Sequence, residues 1–283
     1  MYLSEKGSQH IASMNYLREV LDGSNLVDMT ELFWTHKQEY IYFRTDHHWT
    51  ARGAYYAYQS LMDAMGREYM ALDTYQSGRK DGFYGFLYNS ASTTSVNFSI
   101  SPDYVEYFYP HHKATVKNYG SAKMDFGYDR QVLAPDFNEN KNYYNIFWGG
   151  GFNLGYIHSE IGNDESIMVV IDSYGFPFLP FLIDQFEHIY TVDPRYFNKS
   201  GQDFALGNFM RTHEIQTLVF VNFPMYATSY YWGNASDDLQ KMVDIDVNNS
   251  EPSIPQETYY QVIGGFTVRH LDSQIEDELL FSH

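Results

Sequence analysis

A chain of 283 residues that is 44% hydrophobic and 18% aromatic holds enough apolar material for one large α/β domain or two small ones. Its 18 Lys and Arg against 36 Asp and Glu give a formal charge of -18, which argues against nucleic acid and anionic membrane surfaces as partners. The absence of cysteine excludes thiolate metal sites, disulfides and cysteine nucleophiles together.

No run approaches the ~20 apolar residues that span a bilayer, and MYLSEKGSQH lacks the basic and apolar regions of a signal peptide. The chain as it stands is expected to be soluble. Its 27 Tyr, 21 Phe and 4 Trp have two readings: surfaces that stack on sugar rings, or residues that fill amphipathic sheet positions.

In residues 10–24, Ile11, Met14, Leu17 and Leu21 recur at helical spacing, with Gly23 as the stop. NLVDM at 25–29 and YIYF at 40–43 read as short strands. The second delivers the chain to RTDHHWT at 44–50. From there Thr50 caps a helix bearing Tyr55, Tyr58, Leu61, Met62 and Met65, which Gly66 ends. Residues 74–145 change character, with Tyr, Ser, Asn, Gly and Phe in alternating pieces such as VNFSI and YVEYFY. They are expected to form an antiparallel β-rich insertion packed over the main sheet, within a single domain spanning 1–283.

An α/β rhythm follows. SIMVVID, HIYTVD and TLVFVNF read as strands, and PFLPFLIDQF and FALGNFMRTHEI as helices; the acidic 272–283 is a solvated helix or a frayed tail. The alternation implies right-handed crossovers and a parallel sheet covered on both faces, with ligands bound beyond the carboxyl ends of the strands. Those ends carry Asp172-Ser173, then Asp193-Pro194-Arg195-Tyr196, and Asn222. A serine at such an end is either a helix cap or a nucleophile beside unpaired N–H groups.

A serine nucleophile needs a base, and the base an orienting acid. If Asp46, His47 and His48 continue extended from YIYF, the two-residue period puts Asp46 and His48 on one face and His47 on the other. The alternatives are a structural histidine, or a metal site that would also need His111 and His112.

YIYFRTDHHWTARGAYYAY resembles the signature of the bacterial DHHW-motif proteins, which are similar to the alginate O-acetyltransferases and, more distantly, to the SGNH hydrolases. VVIDSYGFPFLPFLIDQFEHIYTVDPRYF and the glycine-rich YNIFWGGGFNLGYI resemble the same group in the same order. The resemblance implies a permuted, flavodoxin-like three-layer α/β fold in which Asp-x-His precedes the serine. It makes Ser173 the nucleophile, His48 the base and then the acid, and Asp46 the orienter. Backbone N–H groups at Ser173 and just beyond, together with Asn222, would serve the oxyanion, with Arg195, Tyr196 and Tyr174 binding substrate.

It further implies an extracytoplasmic O-acetyltransferase or acetyl esterase acting on cell-envelope polysaccharide. Its partners would be the polysaccharide and an acetyl donor, the latter supplied by a membrane-bound protein, with no cofactor and no metal. A non-catalytic carbohydrate-binding or envelope-assembly module would instead keep Ser173 and His48 beyond hydrogen-bond reach. A metalloenzyme would bring His111 or His112 to His47.

Overall fold

The computed structural model describes residues 26–92, 101–151, 153–197 and 204–222, and the backbone of 259–262. The helix read at 10–24, the VNFSI piece and the acidic 272–283 lie outside the described residues. In chain order the strands are β1 (Leu26–Val27), β2 (Gln76–Phe83), β3 (Asp103–Tyr109), β4 (Ala114–Tyr119), β5 (Gly127–Arg130), β6 (Leu154–Ser159), β7 (Ser166–Ile171), β8 (His188–Val192), β9 (Thr217–Val221) and β10 (Tyr259–Val262). The helices are α1 (Thr30–Thr35), α2 (Ala51–Ala64), α3 (Phe86–Ser92), α4 (Leu179–Leu182), α5 (Pro194–Phe197) and α6 (Leu206–Thr212).

One eight-stranded sheet runs in the order β1-β10-β9-β7-β8-β6-β4-β5. From β1 to β8 each neighbouring pair is parallel, and from β8 onward each is antiparallel. The sheet is therefore mixed, where the strand-helix alternation had predicted a parallel one. The difference begins at β6, which lacks a crossover helix before it and pairs antiparallel to β8.

Strand β7 shows why the centre is buried. All six of its residues are covered, and its alternation sorts them between two cores. Ile167, Val169 and Ile171 face a core shared with α2 and α4, whereas Met168 and Val170 face a core shared with α6. Strand β9 divides in the same way, Val219 and Val221 to one side, Leu218 and Phe220 to the other. Period-2 side chains with apolar material on both faces are what a central strand between helical layers requires.

The segment 74–145 splits in two. Strands β2 and β3 form a separate antiparallel ribbon, but β4 and β5 continue the main sheet through β6. Half of the expected covering insertion is thus sheet edge, because the unpaired side of β6 offers an antiparallel template to Ala114–Tyr119. YIYF also departs from expectation. It forms no strand, only an isolated antiparallel bridge from Tyr42 to Trp49, closed by Phe43 N–H to His48 O (3.2 Å) and Thr50 N–H to Ile41 O (2.9 Å). PFLPFLIDQF keeps only the short α4, preceded by a 3-10 turn at Ser173–Gly175.

Helix α2 begins where expected. The Thr50 Oγ1 accepts from Gly53 N–H (3.3 Å), and Gly66 follows with φ +64 in the left-handed region. Gly53 lies against the returning hairpin. A Cβ there would stand 2.4 Å from Ile41 O and 3.0 Å from the Trp49 Cβ, both on chain that cannot yield cheaply. Gly53→Ala is therefore expected to destabilise the protein by about 1–3 kcal/mol, read as a lower urea midpoint; an unchanged midpoint would contradict this seating of α2.

Candidate active site

The turn at residues 44–48 is held from below by one carboxylate. Asp103, buried at the start of β3, accepts Thr45 N–H (2.7 Å), Thr45 Oγ1–H (2.6 Å), Arg44 N–H (3.0 Å), Arg44 Nε–H (3.0 Å) and Tyr40 O–H (2.5 Å). Burial raises its pKa, but these donors outweigh burial and hold it below the ordinary carboxylate value. The ribbon strand β3 thereby fixes the path of the motif.

Asp46 then bends the chain onto itself. Its Oδ1 accepts the His48 backbone N–H (2.9 Å) and pairs with His48 Nδ1 at 2.5 Å, while Oδ2 accepts Phe86 N–H (2.7 Å). An Asp accepting from the N–H two residues on is an Asx turn. The two side chains meet for that reason, and not through the pleat of an extended strand as the sequence reading supposed. Burial pushes the Asp46 carboxyl up, but the His48 hydrogen bond and charge and the two backbone N–H groups together keep it far below its usual range. Gly85 makes room: a Cβ there would lie 2.2 Å from Asp46 Cβ and 2.3 Å from Oδ2.

On the other side of the ring, His48 Nε2 lies 2.8 Å from Ser173 Oγ. Ser173 opens the 3-10 turn directly after β7, at the carboxyl end of the parallel strands. Asp172 caps this turn by accepting Tyr174 N–H at 2.8 Å. That N–H is consequently engaged, which corrects the expectation that N–H groups just beyond Ser173 face an oxyanion. The Ser173 N–H itself has no acceptor among the described residues.

Two aromatic residues lock the serine turn to the histidine. Trp49, fully buried, donates Nε1–H to Tyr174 O (2.8 Å). Tyr144 stacks on the His48 ring, centroids 4.1 Å apart and 20° between planes, and donates its hydroxyl to Ser173 O at 2.7 Å. Burial drives the Tyr144 phenol well above its ordinary pKa, and the nearby Asp46, Tyr174 and Asp172 add to the effect, so it stays a donor. The Tyr174 hydroxyl donates to His47 O; this residue braces the motif and does not line the cavity.

Ser173, His48 and Asp46 sit at a cavity of about 490 Å³. Its lining residues include Tyr84, Phe86 and Tyr196, the asparagines Asn89, Asn140, Asn142 and Asn145, and Gly150 and Gly151. Arg195 lines it too, but its guanidinium grips buried Asp193 at both ends, Nε–Oδ1 2.9 Å and Nη2–Oδ2 2.6 Å. Asn222 is buried directly after β9, whose Val221 pairs with Ile171 of β7, and is not among the described residues lining the cavity. Sequence reasoning missed Gly85, Tyr144 and the asparagines. The run NENKNYYN at 138–145 was the available signal, since four amides in eight residues of irregular chain are unusual for a core.

His111 and His112 do not approach His47. Both are tied to buried Asp184, His112 through N–H (2.9 Å) and Nδ1 (2.8 Å), His111 through N–H (3.1 Å) and Nδ1 (3.2 Å). Asp46, His47 and His48 can each offer an atom within metal-ligand range of the others. Both ring nitrogens of His48 are already committed, however, to Asp46 and Ser173.

An α/β sheet with a serine, a histidine and an aspartate in line at its carboxyl end defines the class to which the chain is comparable. The sequence pattern of the DHHW protein family matches residues 9–192, and the chain belongs to that family. A crystal structure of a DHHW family protein from Eubacterium siraeum is 27% identical, with a TM-score of 0.61, over 72% of this chain and 65% of that one. A structure of Bacillus cereus PatB1 is 17% identical, with a TM-score of 0.50, over 66% of this chain and 63% of that one, a likeness of fold. This chain thus spans just under two thirds of either protein. No curated protein matches it.

His47, whose ring is tilted against that of His48 with centroids 4.0 Å apart, is pushed by burial down to about 4 from 6.5, with His48 adding and Asp46 opposing. Between those values the unfolded chain takes up a proton that the folded chain refuses. Stability is therefore full above about pH 6.5 and falls by as much as ~3 kcal/mol on the way to about pH 4. His47→Gln should flatten the urea midpoint across that window, and an unchanged acid slope would contradict it; losses below about pH 4 belong to carboxylates such as Asp46.

Proposed function

We infer that the protein is a serine acyl-transfer enzyme, an O-acetyltransferase or acetyl esterase that works through an acylated Ser173. The observation that carries this reading is the continuous line Asp46 Oδ1, His48 Nδ1, His48 Nε2, Ser173 Oγ, with spacings of 2.5 and 2.8 Å, at a cavity mouth. A base within hydrogen-bond reach of a serine, itself oriented by a buried acid, is what nucleophilic catalysis needs.

In the first half-reaction, His48 Nε2 takes the Ser173 proton as Oγ bonds to the acyl carbon. The Ser173 N–H stands beside the oxygen that gains charge. Collapse of the tetrahedral adduct breaks the bond to the leaving oxygen, which receives the proton from His48. In the second half, His48 deprotonates an incoming hydroxyl as that oxygen attacks the ester carbon, and collapse of the adduct breaks the bond from the acyl carbon to Ser173 Oγ, which takes the proton back from His48. Asp46 keeps Nδ1 protonated throughout and offsets the imidazolium charge.

The acceptor we favour is a hydroxyl of a cell-envelope polysaccharide. Aromatic faces and side-chain amides, which this wall combines, suit the C–H faces and hydroxyls of a sugar ring. The reading places the protein outside the cytoplasm, with a membrane-bound partner supplying acetyl groups; no helix among the described residues is long and apolar enough to cross a membrane. In fold the reading corresponds to a permuted SGNH-hydrolase-like, flavodoxin-like three-layer domain over 1–283, in which the β2–β3 ribbon of 74–145 stands apart and β4 and β5 extend the sheet. A non-catalytic module would have kept Ser173 and His48 apart, and their 2.8 Å separation weighs against it.

Purified protein is expected to hydrolyse p-nitrophenyl acetate. Ser173→Ala should lower kcat by about 10⁴-fold or more and Asp46→Asn by about 10⁴-fold, with circular dichroism unchanged. Undiminished turnover in a folded Ser173→Ala variant would remove Ser173 from the mechanism. A rise in acetyl transfer over hydrolysis on adding oligosaccharide would mark a transferase.

A further inference from the structure

A second group of chemistry-bearing side chains lies away from the cavity. The antiparallel register of β6 and β8 sets His158 directly opposite His188, so both imidazoles leave the sheet on the same face. Their rings lie nearly parallel, centroids 5.3 Å apart with 21° between planes. Glu187 precedes His188, and one ligand atom from each of the three lies within 4.8 Å of the others. All three are half-buried.

We propose that His158, Glu187 and His188 form a binding site for one divalent transition-metal ion, of which Zn²⁺ is the natural probe. Two imidazoles and one carboxylate, with a fourth position for water, make a donor set that suits Zn²⁺, Ni²⁺ or Cu²⁺ better than Mg²⁺ or Ca²⁺. Three further features support it. The Tyr156 hydroxyl lies 2.8 Å from His188 Nδ1; with Nδ1 donating to that oxygen, the lone pair of Nε2 is left for a metal, the outer support that ligating histidines commonly have.

The Nδ1 of His158 is buried without a hydrogen-bond partner among the described residues, a costly state for a ring nitrogen unless something completes it. Glu187 is already positioned, because its Oε2 accepts the Asp164 N–H at 2.8 Å where Asp164 takes a positive φ of 55°. Asp164 Oδ1 stands 3.6 Å from His188 Nε2 and can serve as a fourth ligand. In a tetrahedral zinc site donor atoms are about 3.3 Å apart. The three ligand atoms, all within 4.8 Å of one another, would draw together toward that spacing around a bound ion.

The location decides what such an ion would do. His188 begins β8, and Asp193, beside the cavity, follows its far end, so ~16 Å of strand separates the two sites. The ion would clamp β6 to β8, the seam where the parallel half of the sheet meets the antiparallel half. Its contribution is to stability, independent of the acyl chemistry.

The test uses tag-free, metal-stripped full chain titrated with ZnCl₂ against a chromophoric chelator. One Zn²⁺ should bind, and at a hundredfold excess over its Kd the Tm should rise by about 5–10 °C. His158→Ala and His188→Ala should lose both effects. Glu187→Gln, which keeps its shape should a histidine variant fail to fold, should weaken binding at least tenfold. His47→Ala and Ser173→Ala should bind as wild type does, which separates this site from Asp46-His47-His48 and from the proposed activity. No binding at millimolar Zn²⁺, binding unaltered in Glu187→Gln, or binding lost in His47→Ala would each overturn the proposal.

Discussion

The Asp46 carboxylate is buried where it would be expensive to leave a charge alone, and the surrounding structure is arranged so that it is not alone. It takes three hydrogen bonds on two oxygens, two from His48 and one from the Phe86 N–H. A carboxylate so surrounded stays ionised because hydrogen bonding to the charged form outweighs desolvation. The consequences run outward in steps. The Asx turn it closes aims the His48 ring, Gly85 has no side chain because Asp46 occupies that space, and the start of α3 is fixed by its Phe86 N–H.

The serine arrives from an independent direction. Strand β7 is buried on both faces, so its end is fixed by packing, and Asp172 caps the turn that presents Ser173. What joins the two halves is aromatic. Trp49 bonds to Tyr174 O, and Tyr144 covers the His48 ring while bonding to Ser173 O. The aromatic wealth of the sequence is thus partly spent on rigidity between the halves of the site. Pre-positioned groups with little freedom are what a proton relay requires.

Much of this was legible in the sequence. Strands 166–171, 188–192 and 217–221 are short apolar runs ended by polar residues, and Asp46, His48 and Ser173 followed from strand-end logic and the motif resemblance. The Thr50 cap and the Gly66 stop of α2 were equally plain. What escaped was set by tertiary contacts. YIYF has strand propensity but pairs only with its own return, and the meeting of Asp46 and His48 depends on an Asx turn that spacing alone does not distinguish from a pleat. Asn222 follows its strand as expected, beside the end of β7. The antiparallel half of the sheet was hidden because β4 and β5 alternate like an independent ribbon.

The central claim is that Ser173 Oγ becomes acylated. Rapid mixing with p-nitrophenyl acetate, acid quenching and peptide mass spectrometry measure this directly. The account predicts a burst of p-nitrophenol equal to the enzyme concentration and one acetyl group on the peptide carrying Ser173. Turnover with no burst and no adduct, or an acetyl group on another residue, would contradict it.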